Sequence, residues 1–297
     1  MEKVSVVITT YKRTKELHRA IQSVTKQNYP NMELIVVDDN TNSEISKLVR
    51  EMIAPYHNIV YLKNKVNMGG ALSRNAGLKA ASGKYIAFLD DDDMYIPDKI
   101  WKQVECFENT EIENVGVVYC HTIAVDKEGR VIESYEKNVR GEFLFESMAE
   151  TVAATSQWLC LKEAIEKIGG FKDVPSKQDT TLLLDLALAG YRIDVVPEIL
   201  TKYYELDIER ISGVSPKNLK GELMLREYMR SHYSLLTKTQ IRQVEYNITF
   251  RIYYLQVRLK EYADAAESLV LLWKCHINFF ATLIMTVKHP ARVILRK

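Results

Sequence analysis

Cysteine is scarce in this 297-residue chain: Cys106, Cys120, Cys160 and Cys275 fall at no metal-ligand spacing, and nothing in the sequence pairs them. That argues against a disulfide scaffold and a cysteine zinc site, and points to free thiols in a reducing compartment, the cytosol. The six histidines form no ligand cluster, and His121 reads as structural. No long apolar run opens the chain. In "MEKVSVVITTYKR" polar residues return after a five-residue stretch, too short for the apolar segment of a secretory signal, so no export signal is expected. No G-x-G-x-x-G follows that stretch, no G-x-x-x-x-G-K-[ST] occurs, and "DDDDMY" lacks the glycine and distal glutamate of an EF-hand loop. A dinucleotide site, a P-loop and an EF-hand are therefore disfavoured.

What is present suits one globular domain with an appendage, or two domains, with 47% hydrophobic and 27% charged residues. The net charge of +1 hides an asymmetry. Residues 1–216 carry 26 Lys plus Arg against 33 Asp plus Glu, whereas residues 217–297 carry 14 against 6. The first part alternates strand and helix patterns. Val4 to Ile8 is a strand-length apolar run, and Leu17, Ala20, Ile21 and Val24 follow at amphipathic-helix spacing. "MELIVV" (Met32 to Val37) repeats the unit, with Ile45, Leu48, Val49 and Met52 as its helical stripe. "NIVYL" (Asn58 to Leu62), a helix over Ala71 to Ala81 and a strand over Tyr85 to Leu89 complete the series. The pattern predicts an α/β fold with a mainly parallel sheet flanked by helices, whose ligand crevice lies beyond the strand carboxyl ends.

Three polar clusters fall at such ends: Thr9, Thr10 and Tyr11 after the first strand, Asp38 and Asp39 after the second, and Asp90 to Asp93 after Leu89. Four consecutive carboxylates raise one another's pKa values unless a cation or a set of donors compensates them. A solvated acidic turn is the ordinary reading of such a run. Its place at the end of a buried strand favours instead a site that holds a hard divalent cation through one or two carboxylates and leaves room for phosphate oxygens.

"VSVVITTYKR", "LIVVDDN", "NMGGALSRNAGLKAASGKYIAFLDDDD" and "IGGFKDVPSKQDTTLLL" together resemble the successive motifs of the family 2 inverting glycosyltransferases of the Rossmann-like GT-A fold. The resemblance covers roughly the first 205 residues. It implies that Thr9 and Tyr11 line a nucleotide base pocket and that Asp39 meets base or ribose. It also implies that the segment from Asn67 to Asn75, where Gly69 and Gly70 let the backbone come close, passes under the nucleotide sugar. Arg74 would reach a phosphate or a carboxylate of the metal loop, although a surface helix arginine is as good a reading. The acidic run matches the family's D-x-D motif, with Asp92 as ligand of Mn²⁺ or Mg²⁺, Asp91 or Asp90 on ribose or donor sugar, and Asp93 capping the next turn. Asp179 is the expected general base at a helix start, where a plain N-cap is the alternative. Trp158 would lie near the sugar, or in the core. One departure stands out: Asp185 occupies a position where many relatives carry a basic residue.

After Pro216 the pattern becomes helical, over Leu219 to Leu236, Ile241 to Leu259 and "YADAAESLVLLW". Residues 1–216 are thus expected to be the catalytic, nucleotide-sugar-binding domain, and 217–297 a helical domain that associates with membrane or oligomerises. Six tyrosines interleaved with arginine there lack any nucleic-acid motif, so no nucleic-acid partner is expected. Ser268 to Lys297 contains no acid and reads as an interfacial helix for an anionic membrane, or as a helix packed on the catalytic domain or in a homodimer seam. The whole implies a metal-dependent hexosyltransferase of bacterial polysaccharide, capsule or cell-envelope synthesis, cytoplasmic or peripheral on the inner membrane face. Its donor would be a UDP-sugar and its acceptor a glycan or lipid-linked oligosaccharide. A sugar nucleotidyltransferase and a non-catalytic nucleotide-sugar-binding partner of a synthase complex are the alternatives.

Overall fold

The computed structural model describes residues 1–56, 58–204 and 213–275. The alternation read from the sequence appears as β1 (Val4–Thr10), α1 (Thr14–Thr25), β2 (Met32–Asp38), α2 (Ser43–Ile53), β3 (Ile59–Lys63), α3 (Gly69–Ala80) and β4 (Tyr85–Asp90). Then come β5 (Met94–Tyr95), α4 (Lys99–Asn109), β6 (Val115–Val125), β7 (Val131–Tyr135), α5 (Leu144–Ala149), β8 (Trp158–Leu161), α6 (Lys162–Lys167), α7 (Gln178–Leu188) and β9 (Arg192–Tyr204). The sheet order is β3-β2-β1-β4-β8-β6-β9-β5, with β7 paired to β6. From β3 to β4 every pairing is parallel. Farther along, β8 runs antiparallel to both β4 and β6, while β6 and β9 are parallel.

Both faces of the parallel part are covered, which is why its strands read as nearly continuous apolar runs. Strand residues alternate between the faces with period two. Val7, Ile35, Val37, Ile86 and Phe88 pack with Ala71 and Leu78 of α3 and Leu182, Leu183 and Leu186 of α7. Val6, Ile8, Leu34, Val36, Ala87 and Leu89 pack with Leu17, Ile21 and Val24 of α1, Val49 of α2 and Ile100 and Val104 of α4. The acidic run leaves β4 in the middle of the sheet, and its far end is fixed at once by β5, whose Met94 and Tyr95 pair with Lys202 and Thr201 of β9.

The described residues divide into two compact units. One comprises Met1–Leu144, Val152–Asp173 and Gln178–Ile208; the other takes Phe145–Thr151, Val174–Lys177 and the helices beyond. In the second unit, α8 (Pro216–Arg230), α9 (Lys238–Leu259) and α10 (Tyr262–Cys275) follow one another. Ser215 caps α8 by accepting from the Asn218 amide, and proline at the first helical position suits its fixed φ. Helix α8 ends at Arg230, earlier than the periodicity predicted, and a short 3₁₀ turn fills Tyr233–Leu235. Thr237 and Gln240 form a reciprocal capping box at the start of α9. The two helices are tied by Arg251 to Glu222 and by Arg230 to Glu245. Among the described residues no helix is long and apolar enough to cross a membrane. Of the expected interfacial helix, Ser268 to Cys275 lies in α10, and the rest falls outside the described residues.

Candidate active site

The strand registers bring the three polar clusters to one edge. Thr10 of β1 lies beside Asp38 of β2, and Thr9 of β1 beside Asp90 of β4. Asp38 is fully buried; it accepts from the Asn40 backbone amide at 2.9 Å and from the Tyr61 hydroxyl at 2.7 Å. Asp39, also buried, uses both oxygens twice. Oδ1 accepts from Asn64 Nδ2 and the Met68 amide, each at 2.8 Å, and Oδ2 from Asn67 Nδ2 at 2.9 Å and the Gly69 amide at 2.8 Å. Met68 and Gly69 open α3, so Asp39 supplies the negative charge and the acceptors that a helix amino terminus otherwise lacks. Gly69 holds φ +76°, where a residue with a Cβ is strained. Asn67 and Gly69, expected under the nucleotide sugar, are here partners of Asp39, whose four acceptor positions are taken. Tyr11 is 40% exposed, with the Lys12 ammonium 4.8 Å from its ring centroid.

The acidic run is a tight turn. The Asp93 amide donates to the Asp90 carbonyl at 3.0 Å. Ser156 bridges the turn: its Oγ accepts from the Asp90 amide at 3.2 Å and donates to Asp93 Oδ2 at 2.5 Å. Arg19 donates to the Asp92 carbonyl at 2.7 Å and stacks 3.6 Å from the Tyr204 ring centroid. Asp91, Asp92 and Asp93 are buried, and Asp90 is more open. A single nitrogen, Nη1 of Arg13, stands 3.0 Å from Asp91 Oδ1 and 2.9 Å from Asp92 Oδ2, while the Tyr11 amide reaches Asp91 Oδ2 at 3.3 Å. Burial raises the Asp91 carboxyl to about 7, against the pull of Arg13 and with the help of Asp92.

The two carboxylates thus converge on one cationic point. That donor set suits a hard divalent ion which takes one or two protein carboxylates and fills its other positions with phosphate oxygens and water. No group of three or more His, Cys, Asp or Glu residues able to hold a metal occurs among the described residues.

Arg74, on α3, ties this loop to the helix that carries Asp179. Its guanidinium is ion-paired to Asp90 and donates to Gln178 Oε1 at 3.1 Å. A Cβ on Gly70 would lie 3.2 Å from both Arg74 Nη1 and Gln178 Oε1, so this glycine leaves the bridge its space. Asp179 is the second residue of α7 and accepts from the Thr180 amide at 2.8 Å. Asp185, on the same helix, is buried and met by Lys172 Nζ at 2.7 Å, so a cation does stand at that position, supplied from another part of the chain.

Trp158 does not join the cluster. It is fully buried in the core with Phe88, Val117 and Tyr119, so its ring presents no face to a sugar in this structure. His121 contacts the Lys137 carbonyl and Asn138 at 3.1 Å, a structural arrangement. Arg13, Arg19 and Ser156 escaped the sequence reading. The usable signal for Arg13 was "TYKR": a cation in the loop after β1, on the same sheet edge as four carboxylates.

The family model for glycosyl transferase family 2 matches residues 5–169. The putative teichuronic acid biosynthesis glycosyltransferase TuaG of Bacillus subtilis is 36% identical over 236 residues, covering 79% of this chain and 91% of that protein. A Rickettsia bellii glycosyltransferase is 34% identical over 151 residues; the match covers 50% of this chain but only 21% of that longer protein. Among solved structures, S. aureus TarS 1–349 in complex with UDP-GlcNAc aligns with TM-score 0.62 at 17% identity, over 86% of this chain and 83% of that one. Mannosyltransferase PcManGT from Pyrobaculum calidifontis, in complex with GDP-Man and Mn²⁺, aligns with TM-score 0.63 at 16% identity, over 99% and 81%. At such identities these two likenesses establish the fold.

Proposed function

Because the chain belongs to glycosyl transferase family 2, we propose that it moves a sugar from a UDP-sugar to a hydroxyl of a glycan or lipid-linked glycan, inverting the anomeric carbon. The observation that carries this reading is the Arg74 bridge. It joins the acidic turn at Asp90 to Gln178, the residue before Asp179, which supports reading the turn and Asp179 as parts of one site.

In the proposed reaction Tyr11 offers its exposed ring to the base, and Asp90 contacts ribose or donor sugar. Asp92 and Asp91 would hold Mg²⁺ or Mn²⁺, which when bound would supply positive charge to offset that of the leaving diphosphate. Asp179 accepts the proton of the acceptor hydroxyl as that oxygen bonds to the anomeric carbon and the bond to the diphosphate breaks. Asp39 acts one step back, through α3 and its amino-terminal amides. TuaG, named for teichuronic acid biosynthesis, supports a cell-envelope polymer as the acceptor.

Titration calorimetry of UDP and a panel of UDP-sugars, with Mn²⁺ or EDTA, tests the donor site on wild type and Asp92→Ala. Metal-dependent binding that the substitution abolishes is expected; equal binding in EDTA would remove Asp92 as a metal ligand. In the same proposal Asp179→Asn retains donor binding and loses transfer.

A further inference from the structure

The turn that carries Asp179 starts from a disfavoured backbone. Lys177 has φ +63°, a conformation that side chains with a Cβ rarely adopt and that persists only where the surroundings dictate it. Those surroundings belong to the helical unit, which includes Val174–Lys177. Glu222 on α8 is 1% exposed, and its Oε1 lies 2.9 Å from Lys177 Nζ. Arg251 of α9 reaches the same carboxylate at 3.2 Å. One residue earlier, Ser176 Oγ donates to Asn218 Oδ1 at 3.0 Å. A Cβ on Gly221 would stand 1.9 Å from Ser176 Oγ, so only glycine permits this approach of segment to helix. Two consecutive residues are thus fixed on α8, and the next two in the chain are Gln178 and Asp179.

A buried carboxylate is costly unless paired, and Glu222 is paired on two sides, with Lys177 ahead of α7 and with Arg251 on α9. We propose that Glu222 is a positioning residue: through Lys177 it fixes the left-handed turn from which α7 starts and so orients Asp179. The inference rests on Asp179 being the base of the proposed reaction. The first turn of α7 is held from two sides, at Lys177 by Glu222 and at Gln178 by Arg74. Arg251 Nε lies 3.2 Å from both oxygens of Glu222, on the α9 side of the carboxylate.

The test uses the full chain and three variants, Glu222→Gln, Lys177→Gly and Arg251→Met. Lys177→Gly removes the ammonium and relaxes the backbone, so it serves if Glu222→Gln fails to fold. Amide hydrogen exchange of Leu182 to Leu184, whose helical bonds run back to Gln178 to Thr180, reports whether the first turn is held. Release of UDP from a panel of UDP-sugars supplies kcat and KM. Glu222→Gln and Lys177→Gly should speed exchange and lower kcat, each roughly tenfold, with KM nearly unchanged. Arg251→Met, which leaves the Lys177 contact, should lower the melting temperature without moving either readout. Unchanged exchange in Lys177→Gly overturns the proposal, as does faster exchange with unchanged kcat. A wild type that turns over no UDP-sugar, with exchange still accelerated in the variants, leaves the clamp standing and removes the base role it was to serve.

Discussion

Replacing Asp39 with asparagine distinguishes an acid that touches the nucleotide from one that builds the loop. The carboxylate accepts four hydrogen bonds of 2.8 to 2.9 Å. Asparagine keeps one oxygen and turns an NH₂ group towards two donors, so two bonds are lost. Bonds to a charged acceptor contribute about 1.5–3 kcal/mol each, which gives an upper figure of about 3–6 kcal/mol. Relaxation lowers it. Asn67 can turn its amide to meet the new group at the cost of its longer bond to the Asp39 carbonyl at 3.2 Å, whereas Asn64 would give up its bond to Ser73 at 2.9 Å. A loss of about 3 kcal/mol is therefore expected, a large share of the stability of an ordinary domain. Urea unfolding measures it, and hydrogen exchange at Met68 and Gly69 locates it. UDP binding should weaken in proportion to the loosened loop. A loss below about 1 kcal/mol, with both amides still protected, would refute the loop-building role; abolished UDP binding on that background would make Asp39 a direct ligand contact.

Gly77 of α3 faces β1 so closely that a Cβ would come 2.3 Å from Val7 Cγ1. Gly77→Ala should cost about 1–2 kcal/mol, overpacking offset by helix propensity, and should turn neutral or stabilising on a Val7→Ala background; equal costs on both backgrounds would exclude the clash. Although burial works to raise it, hydrogen bonds from Lys3, Ser5 and Ser82 bring the Glu33 carboxyl from 4.5 down to about 2. A depressed acid contributes stability above its unfolded value and loses it as pH falls through the folded one. Glu33→Gln should thus cost about 1–2 kcal/mol at pH 7, after screening of the exposed Lys3, and the difference should shrink between about pH 4.5 and 2. Denaturant unfolding at three pH values checks the trend, and a constant difference counts against it. Arg13→Met removes the cation between Asp91 and Asp92, so in EDTA the melting temperature should drop, and added Mn²⁺ should raise it more than in wild type. An equal Mn²⁺ response would mean that Arg13 does not compensate these carboxylates.

Most of the parallel half of the sheet was legible because β1 and β4 and the end of β2 are buried on both faces and α1 and α2 show clean stripes. The edge assembled from Thr9, Asp38 and Asp90 followed from topology alone. Less legible were β8 and β9, which pair over long sequence distances and whose partners no local pattern names. Arg13 and Ser156 were missed because their roles depend on the loop after β1 and on a 3₁₀ turn, Thr155–Gln157, brought to the acidic run by tertiary structure. Trp158 shows the reverse case: a residue suited to stacking on sugar was equally suited to the core, and burial is a property of the whole fold.

The helical unit draws two short pieces from inside the chain that precedes it, and this bears on the order of events at the ribosome. Phe145–Thr151 and Val174–Lys177 are synthesised well before α8 and α9. Ala149, whose carbonyl accepts from Asn247 Nδ2, and Ser176, which pairs with Asn218, must wait for partners encoded later. At about 5–20 residues per second the wait is on the order of seconds, long enough for the nascent sheet unit to fold while these two pieces stay unclaimed. A stop codon at the apparent boundary near Pro216 would make that wait permanent, so a shortened gene product should be a client of chaperones and proteases and not a free-standing catalytic half.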